Sequence, residues 1–557
     1  MEESPPPKRH KPPLQNPPPP TISQTLITDD GDVVEEDRIS NLPDSILSHI
    51  LSKLPTRNAL ATTVLSTKWK HLFASIPNLS LAINDSVSIH QANPNFVNFM
   101  HHLLTVTLRD VPSIRKFRLH CHHDYGNSHI DAWISAVLGL KVSDLTLFFH
   151  IKDTGVSIES LFQSETLVRL IWCQQFYADV PDTVCLPKLK QLCLFNMKFY
   201  GCESLHILIS GCPVLKELTL DGCEFEETYH LFICSPSLKF LKINCCNPDY
   251  FYQVVIDTPL LEALYYDDHV AESYWGMNLS SLLRAHIDVG PGDTQVEYAE
   301  DDEDLQQYDQ NVAELVAECY NVDFLYLSMP AVTAIHRSSC AMPTFSNMTE
   351  LKLGDLNSHG WEFLPHLLES SPNLETLVLR GFMEHEGCFA NFESSIPNHV
   401  PTCLSLKLQF IYFEGFNGEQ DELDLVSYFL TTAEVLREME FSFCSSLPIE
   451  KQYNTWSNLK SLESCSKSKN CSAGRTNAVT AHCSICVDLG LSKNIGCFTR
   501  FQSGLSNNVP ACLMLHLRRL YFGEFNGEQD DILLFMFVRG SDVYFTALNW
   551  SIKVESV

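Results

Sequence analysis

The sequence predicts an α/β chain in three parts: a small all-α module, an irregular parallel solenoid of short repeats, and a strand–helix–strand cap. Three observations predict it. Residues 42–55 read LPDSILSHILSKLP, a short apolar helix fenced by two Leu-Pro pairs. From about residue 140 the phrase L-x-x-L-x-[LI] recurs, a few residues after a proline. After Val400, alternating apolar residues give way to helical spacing and then alternate again.

The chain has 557 residues, more than one ordinary core organises, so several modules are expected. A formal net charge of −30 repels phosphate backbones and anionic lipid, which argues against nucleic acid and membrane as partners. No apolar run is long enough to span a bilayer. The stretch MEESPPPKRHKPPLQNPPPP is Pro-rich and polar and lacks the apolar segment of a secretory signal, so residues 1–36 read as a disordered tail. Its PPKRHKPP segment reads as a solvated basic patch, with nuclear import as the other reading. The 21 cysteines are expected to stay reduced. Most of them, as in QLCLF and LFICS, take the place of small hydrophobes.

The first module covers residues 37–81 and reads as three short helices. Asn41 can cap the first, and Pro43 sits near its first turn, where a missing N–H costs nothing. Ile46, Leu47, Ile50 and Leu51 share one face, and Pro55 ends the helix. Thr56 can cap the second helix, where Leu60 and Val64 stack. Ser66 can start the third, with Trp69, Leu72 and Phe73 on one side. So short a module cannot enclose this many large apolar groups. They must meet either the following domain or another protein.

The run DRISNLPDSILSHILSKLPTRNALATTVLSTKWKHLF resembles an F-box in the form common among plant proteins. The match runs through Leu42, Pro43, Asp44, Ile46, Leu47, Ile50, Leu51, Leu54, Pro55, Thr63, Leu65, Ser66 and Trp69. Lys68 replaces the more usual Arg before the Trp, and Phe73 stands where many members have a second Trp. The resemblance implies docking on a Skp1-type adaptor and, through it, on the cullin and RING subunits of a ubiquitin ligase. It carries over Leu42, Pro43, Ile46, Leu47, Ile50, Leu54, Pro55, Val64, Leu65 and Trp69 as adaptor contacts.

The repeats are clearest in LPKLKQLCLF from Leu186, CPVLKELTLD from Cys212, SPSLKFLKIN from Ser235, TPLLEALYYDD from Thr258 and SPNLETLVLRGF from Ser371. Their spacing of about 23–26 residues is that of leucine-rich repeats. In each copy the last two apolar residues alternate like a strand and point inward. One turn cannot bury its own face, so neighbours must stack into a horseshoe-like solenoid, here residues 95–385. The strand positions left outside form the default surface for an unidentified target protein. They include Lys190, Gln191, Lys216, Glu217, Thr219, Lys239, Lys242, Glu262, Glu375, Thr376 and Val378. This region resembles the irregular leucine-rich repeats that follow plant F-boxes, with a helix–strand–helix–strand entry from NFVNFMHHLL to DLTLFF. The acidic run EYAEDDEDL at 297–305 reads as a solvated loop, with capture of a basic partner as the other reading.

In residues 397–445, Leu404, Leu406, Leu408, Phe410 and Tyr412 alternate and predict a strand. Val426, Phe429, Leu430, Ala433 and Leu436 have helical spacing, and Met439, Phe441 and Phe443 alternate again. This unit resembles the FBD domain of plant F-box/leucine-rich-repeat proteins, on VPTCL, then F-x-G, then the A-x-x-L-x-x-M helix end. The phrase GCFTRFQSGLSNNVPACLMLHLRRLYFGEFNGEQDD from Gly496 aligns without gaps to the stretch from Gly387, with about half of the positions identical. Arg519 replaces Phe410, expected to point inward, and Arg539 replaces Leu430. Residues 496–557 are therefore expected to be a degenerate partial repeat, joined by a polar linker at 446–495.

Chemistry-bearing patterns are weak. Cys483-x-x-Cys486, with His482, Cys465 and Cys471, is irregular for zinc. His120, Cys121, His122 and His123 read as a surface loop. No nucleophile motif or phosphate-binding loop appears. The expectation is a non-catalytic receptor with no cofactor and no metal, cytoplasmic and/or nuclear. It would be the substrate-recognition subunit of an SCF-type (Skp1–cullin–F-box) ubiquitin ligase. The alternatives are a repeat scaffold without adaptor binding and a metal or thiol enzyme using the Cys-rich tail.

Overall fold

The computed structural model describes residues 39, 42–54, 56–74, 80–85, 94–149, 158–175, 177–226, 230–244, 253–290, 302–338, 340–354, 358–380, 399–444, 446–469, 478–482, 533–539 and 542–548. The N-terminal tail, Asn41 and Pro55 lie outside them.

Three helices open the chain: α1 (Asp44–Lys53), α2 (Thr56–Ala61) and α3 (Thr67–Ala74). Pro43 holds the extended conformation of an N-cap, and its carbonyl accepts the amides of Ile46 and Leu47 at 2.9 and 3.1 Å. Leu47, Leu51, Ala59, Trp69, Leu72 and Phe73 form the interior of this module. Its second helix lies against β1 (Ser80–Asn84), the first strand of the solenoid.

That strand begins a sheet of fifteen strands in chain order, parallel throughout and open at both ends. β2 (Lys116–Cys121), β3 (Asp144–Phe149), β4 (Arg169–Gln174) and β5 (Gln191–Phe195) follow. The sheet continues through Glu217–Asp221, Phe240–Asn244, Ala263–His269, Arg284–Gly290, Phe324–Leu327, Glu350–Leu353, Thr376–Arg380, Phe410–Phe416 and Glu438–Phe443 to Ala478–His482. Leucines stack in register on the inner face: Leu192 beside Leu218, Leu241 and Leu264, all fully buried.

The recurring proline explains how each turn is set. Cys212, Ser235, Thr258 and Ser371 each precede a proline and are buried. The proline presets the backbone of a tight turn. The leucine that closes it donates back: Leu215 to Cys212 O at 3.1 Å, Leu261 to Thr258 O at 3.0 Å, Leu374 to Ser371 O at 3.2 Å. Two successive amides then share one carbonyl of the previous repeat. Lys239 and Phe240 donate to Lys216 O at 2.8 and 3.0 Å, and Glu262 and Ala263 to Lys239 O at 2.9 and 3.0 Å.

The return segments differ from repeat to repeat. Some are helices, as in Gly201–Ser210, Met329–Ser338 and Ser358–Glu369. Others are the short strands His230–Cys234, Gln253–Asp257 and Ser273–Asn278, which pair into a second parallel sheet. The fold is thus an α/β chain with helical module, irregular leucine-rich solenoid and terminal strand–helix–strand unit.

Four expectations are corrected. The alternation from Leu404 to Leu408 belongs to a short helix, Thr402–Leu406, and the strand starts at Phe410. Leu404 and Leu408 are also four apart, a helical spacing, and both are buried while Leu406 is exposed. In the strand itself Ile411 and Phe413 point inward, whereas Phe410 is half-buried on the outer side. Arg519 therefore aligns with an outer position, and only the Leu430 counterpart, Arg539, marks a lost anchor.

The second half of the acidic run is helical, because Asp302 opens the helix Asp302–Ala317 and acidic side chains suit a helix N-terminus. Residues 297–301 lie outside the described residues. The expected linker contains the helix Ile449–Lys469 and the strand Ala478–His482, which pairs with Glu438–Phe443. That helix buries Gln452 and Thr455 beside Leu459, so its inner face carries little apolar signal. Finally, the strand Leu533–Arg539, which aligns with residues 424–430 of the first copy's helix, pairs antiparallel with Asp542–Leu548. The rest of 496–557 lies outside the described residues.

Candidate interaction surfaces

The helical module separates its apolar residues into two sets. Leu47 and Trp69 are 0% and 4% exposed and pack inside. Ile46 and Ile50 on α1 and Leu54 at its C-cap recur every fourth residue and are exposed. Val64 and Leu65, at the turn before α3, are 85% and 66% exposed. Pro43 is exposed and Leu42 half-buried. Of the ten expected contact residues, then, six are open to a partner, Leu42 is partly so, two are interior and Pro55 is outside the described residues. Lys68 braces the arrangement. Its ammonium lies 3.2 Å from Asp44 Oδ1 and donates to the Leu42 carbonyl at 3.3 Å, joining α3 to the start of α1.

The outer face of the long sheet is the second surface. Gln191, Thr219, Lys242 and Thr376 stand on it half-buried, Glu217 is exposed and Val378 is buried among its neighbours. Lys190, Lys216, Lys239, Glu262 and Glu375 precede the strands, and their carbonyls accept the paired amides that join repeats. Several of these charges are already matched: Lys242 with Asp221 at 3.5 Å, and Lys239 with Glu262. Sequence reading missed an aromatic file along the same face. Tyr265 stacks on His286 at 5.4 Å, and His286 on Tyr326 at 3.9 Å with planes 8° apart. The strand bearing His286 lies in NLSSLLRAHIDVG, a copy of the repeat phrase with Ala in place of one leucine. Burial pushes the His286 imidazole down, against the opposing pull of Asp288.

Of the cluster expected as a surface loop, His120 and the buried Cys121 belong to β2, and only His122 and His123 form a capped turn after it. The buried Asp85 carboxylate accepts the His122 amide at 2.9 and 3.0 Å, the His123 amide at 3.2 Å, and stands 3.2 Å from His123 Nδ1. Among the described residues no group of three or more His, Cys, Asp or Glu is placed to hold a metal. Cys471, Cys483 and Cys486 lie outside them. Burial pushes the thiols of Cys212, Cys319 and Cys403 up to about 12. Among the described residues no helix is long and apolar enough to cross a membrane.

An exposed apolar stripe on a three-helix module, followed by a leucine-rich sheet with one open face, defines a two-surface binding protein. Comparison with known proteins agrees region by region. Residues 39–81 match the F-box domain, 130–281 the leucine-rich repeats of FBD-associated F-box protein At5g56370, and 396–441 the FBD domain. The chain is 34% identical to the F-box/LRR-repeat protein At4g14096 of Arabidopsis thaliana, covering 78% of this chain and 94% of the relative. It is 36% identical to F-box/LRR-repeat protein At4g14103 of the same plant, over 62% and 92%. A putative F-box protein, At3g58860, is 31% identical over 72% and 88%. The chain belongs to the plant F-box/leucine-rich-repeat family with an FBD domain.

Proposed function

We propose that this chain is the substrate-recognition subunit of an SCF-type ubiquitin ligase. In this reading residues 37–81 hold a Skp1-type adaptor, which links to cullin and RING subunits, and the repeats at 95–385 hold a target protein. The chain contributes no catalytic residue. It works in the cytoplasm or nucleus by bringing the target near a ubiquitin-charged enzyme carried by other subunits.

The observation that carries the adaptor reading is the exposed set Pro43, Ile46, Ile50, Leu54, Val64 and Leu65. Each aliphatic side chain in such a set gains roughly 1.5–3 kcal/mol on full burial. Large apolar side chains left exposed together on one small module mark an interaction site. Leu47 and Trp69 then act by holding the helices, not by touching the adaptor.

The test is co-purification with a Skp1-type adaptor, comparing wild type with Ile50→Glu/Val64→Glu. Retention by the wild type and loss in the folded double variant support the reading. No retention by the wild type overturns it and leaves a repeat scaffold without a ligase.

A further inference from the structure

The outer face of β2–β4 differs from the rest of a chain with net charge −30. Lys116, Asp144 and Arg169 lie side by side in register on three adjacent strands. Lys116 approaches Asp144 Oδ2 at 3.4 Å and Arg169 Nη1 the same oxygen at 3.7 Å. One carboxylate oxygen therefore faces two cations. In the next outer row Arg118 lies in register with Thr146. Arg118 is exposed and makes no hydrogen bond or ion pair among the described residues. Three cations thus share this face with one acid, two of them beside it.

The polar atoms beneath them are unsatisfied. Arg169 Nε, Asp144 Oδ1 and Thr146 Oγ1 are all buried without a hydrogen-bond partner among the described residues. Thr146 is 2% exposed even though it stands on the outer side, between the inward Leu145 and Leu147. Buried polar groups are normally paired, and leaving one unpaired is costly. The surface above them carries Lys116, Arg118 and Arg169 against the one acid Asp144, a locally positive face on an acidic chain.

We propose that this face docks an acidic segment of the target, its Asp or Glu carboxylates engaging Arg118 and Arg169. Guanidinium groups suit this because their planar fork matches a carboxylate with two donors. Asp144 sets the limit: it repels an anion laid directly over it, so the carboxylates sit toward the exposed Arg118. The inference rests on the target-recognition reading of the repeats.

The experiment measures fluorescence anisotropy of a short labelled Glu-rich peptide with the full-length protein. A Lys-rich peptide and a phosphoserine peptide of equal length are compared. The Glu-rich peptide is expected to bind, less tightly as salt rises. Arg118→Gln is expected to weaken it about tenfold or more, the loss of a charge-assisted hydrogen bond. Arg118 makes no side-chain hydrogen bond or ion pair among the described residues, so the variant's melting temperature should not move. Arg380→Gln, an exposed cation on a distant strand of the sheet, should leave binding unchanged. No binding of the Glu-rich peptide, equal loss with Arg380→Gln, or binding of the phosphoserine peptide alone overturns the proposal. Adaptor co-purification on the same preparations separates the two readings. Adaptor retained without peptide binding sinks only this inference, and peptide bound without adaptor sinks only the ligase.

Discussion

Arg337 donates two parallel hydrogen bonds, 2.8 and 2.7 Å long, to the two oxygens of Asp309, a carboxylate only 5% exposed. The pair locks the helix Met329–Ser338 onto Asp302–Ala317, the helix that begins in the acidic run. Arg337→Met leaves the buried carboxylate unpaired and is expected to cost about 3 kcal/mol, because the half-exposed Arg337 softens the full cost of breaking a buried pair. Asp309→Asn should cost less. Urea midpoints of the two variants and of their double mutant check this, and a double mutant worse than Arg337→Met alone would contradict it.

The helical module offers a sharper contrast. Leu47→Ala empties an interior position and is expected to lose about 2–5 kcal/mol. Ile50→Glu alters an exposed one and should move stability by no more than about 0.5 kcal/mol. Adaptor capture should fail in both, but only Leu47→Ala should shift the denaturation midpoint. Equal midpoints would show the interior assignment to be wrong.

Glu422 gives the C-terminal unit a pH dependence. Its carboxylate closes a capping box on the helix Gln420–Thr432 and accepts amides of Asn417 and Glu419. Burial nonetheless pushes it from 4.5 up to about 7. The native state then holds the proton more tightly than the unfolded chain. Its contribution is complete below about 4.5 and is lost as pH rises through about 7. Thermal melts between these values should show stability of residues 399–444 falling with pH, and Glu422→Gln should flatten that slope.

Leu430→Arg places in the first copy the residue that the second copy carries at Arg539. Leu430 is buried, so the guanidinium would be forced into an apolar interior, and a loss above about 4 kcal/mol is expected. Rapid proteolysis within 400–445 in the variant, against protection in the wild type, is the readout.

The buried thiols should be chemically silent. Cys212, Cys319 and Cys403 hold their protons because burial disfavours the thiolate, and the thiolate is the reactive form. Mass spectrometry after brief alkylation should find the exposed Cys185 modified and these three untouched until denaturant is added.

Much of this was legible because leucine spacing and proline placement act locally. The Leu-Pro pairs set α1, and the Pro-x-Leu turns set the strands. What remained hidden depends on which neighbour a residue meets. Ile46 and Leu47 are adjacent and equally apolar, and periodicity cannot say which one faces the module's own interior. Leu404, Leu406 and Leu408 satisfy two spacings at once, and Pro401 at the N-cap goes with the helical one. Gln452 and Thr455 fill buried positions with polar groups, which removes the signal of the helix Ile449–Lys469. The Tyr265–His286–Tyr326 file comes from three separate repeats, so it exists only once the register between strands is known.

The shared carbonyls at Lys216, Lys239 and Glu375 have one more consequence. They clip each coil to the last at a fixed point, so the arm between clips can change without disturbing the ladder. One arm holds the five-residue strand His230–Cys234 and another the sixteen-residue helix Asp302–Ala317. Insertions are absorbed at the back while the front keeps its spacing. A lineage of such proteins can therefore exchange single outward side chains on an unchanged frame.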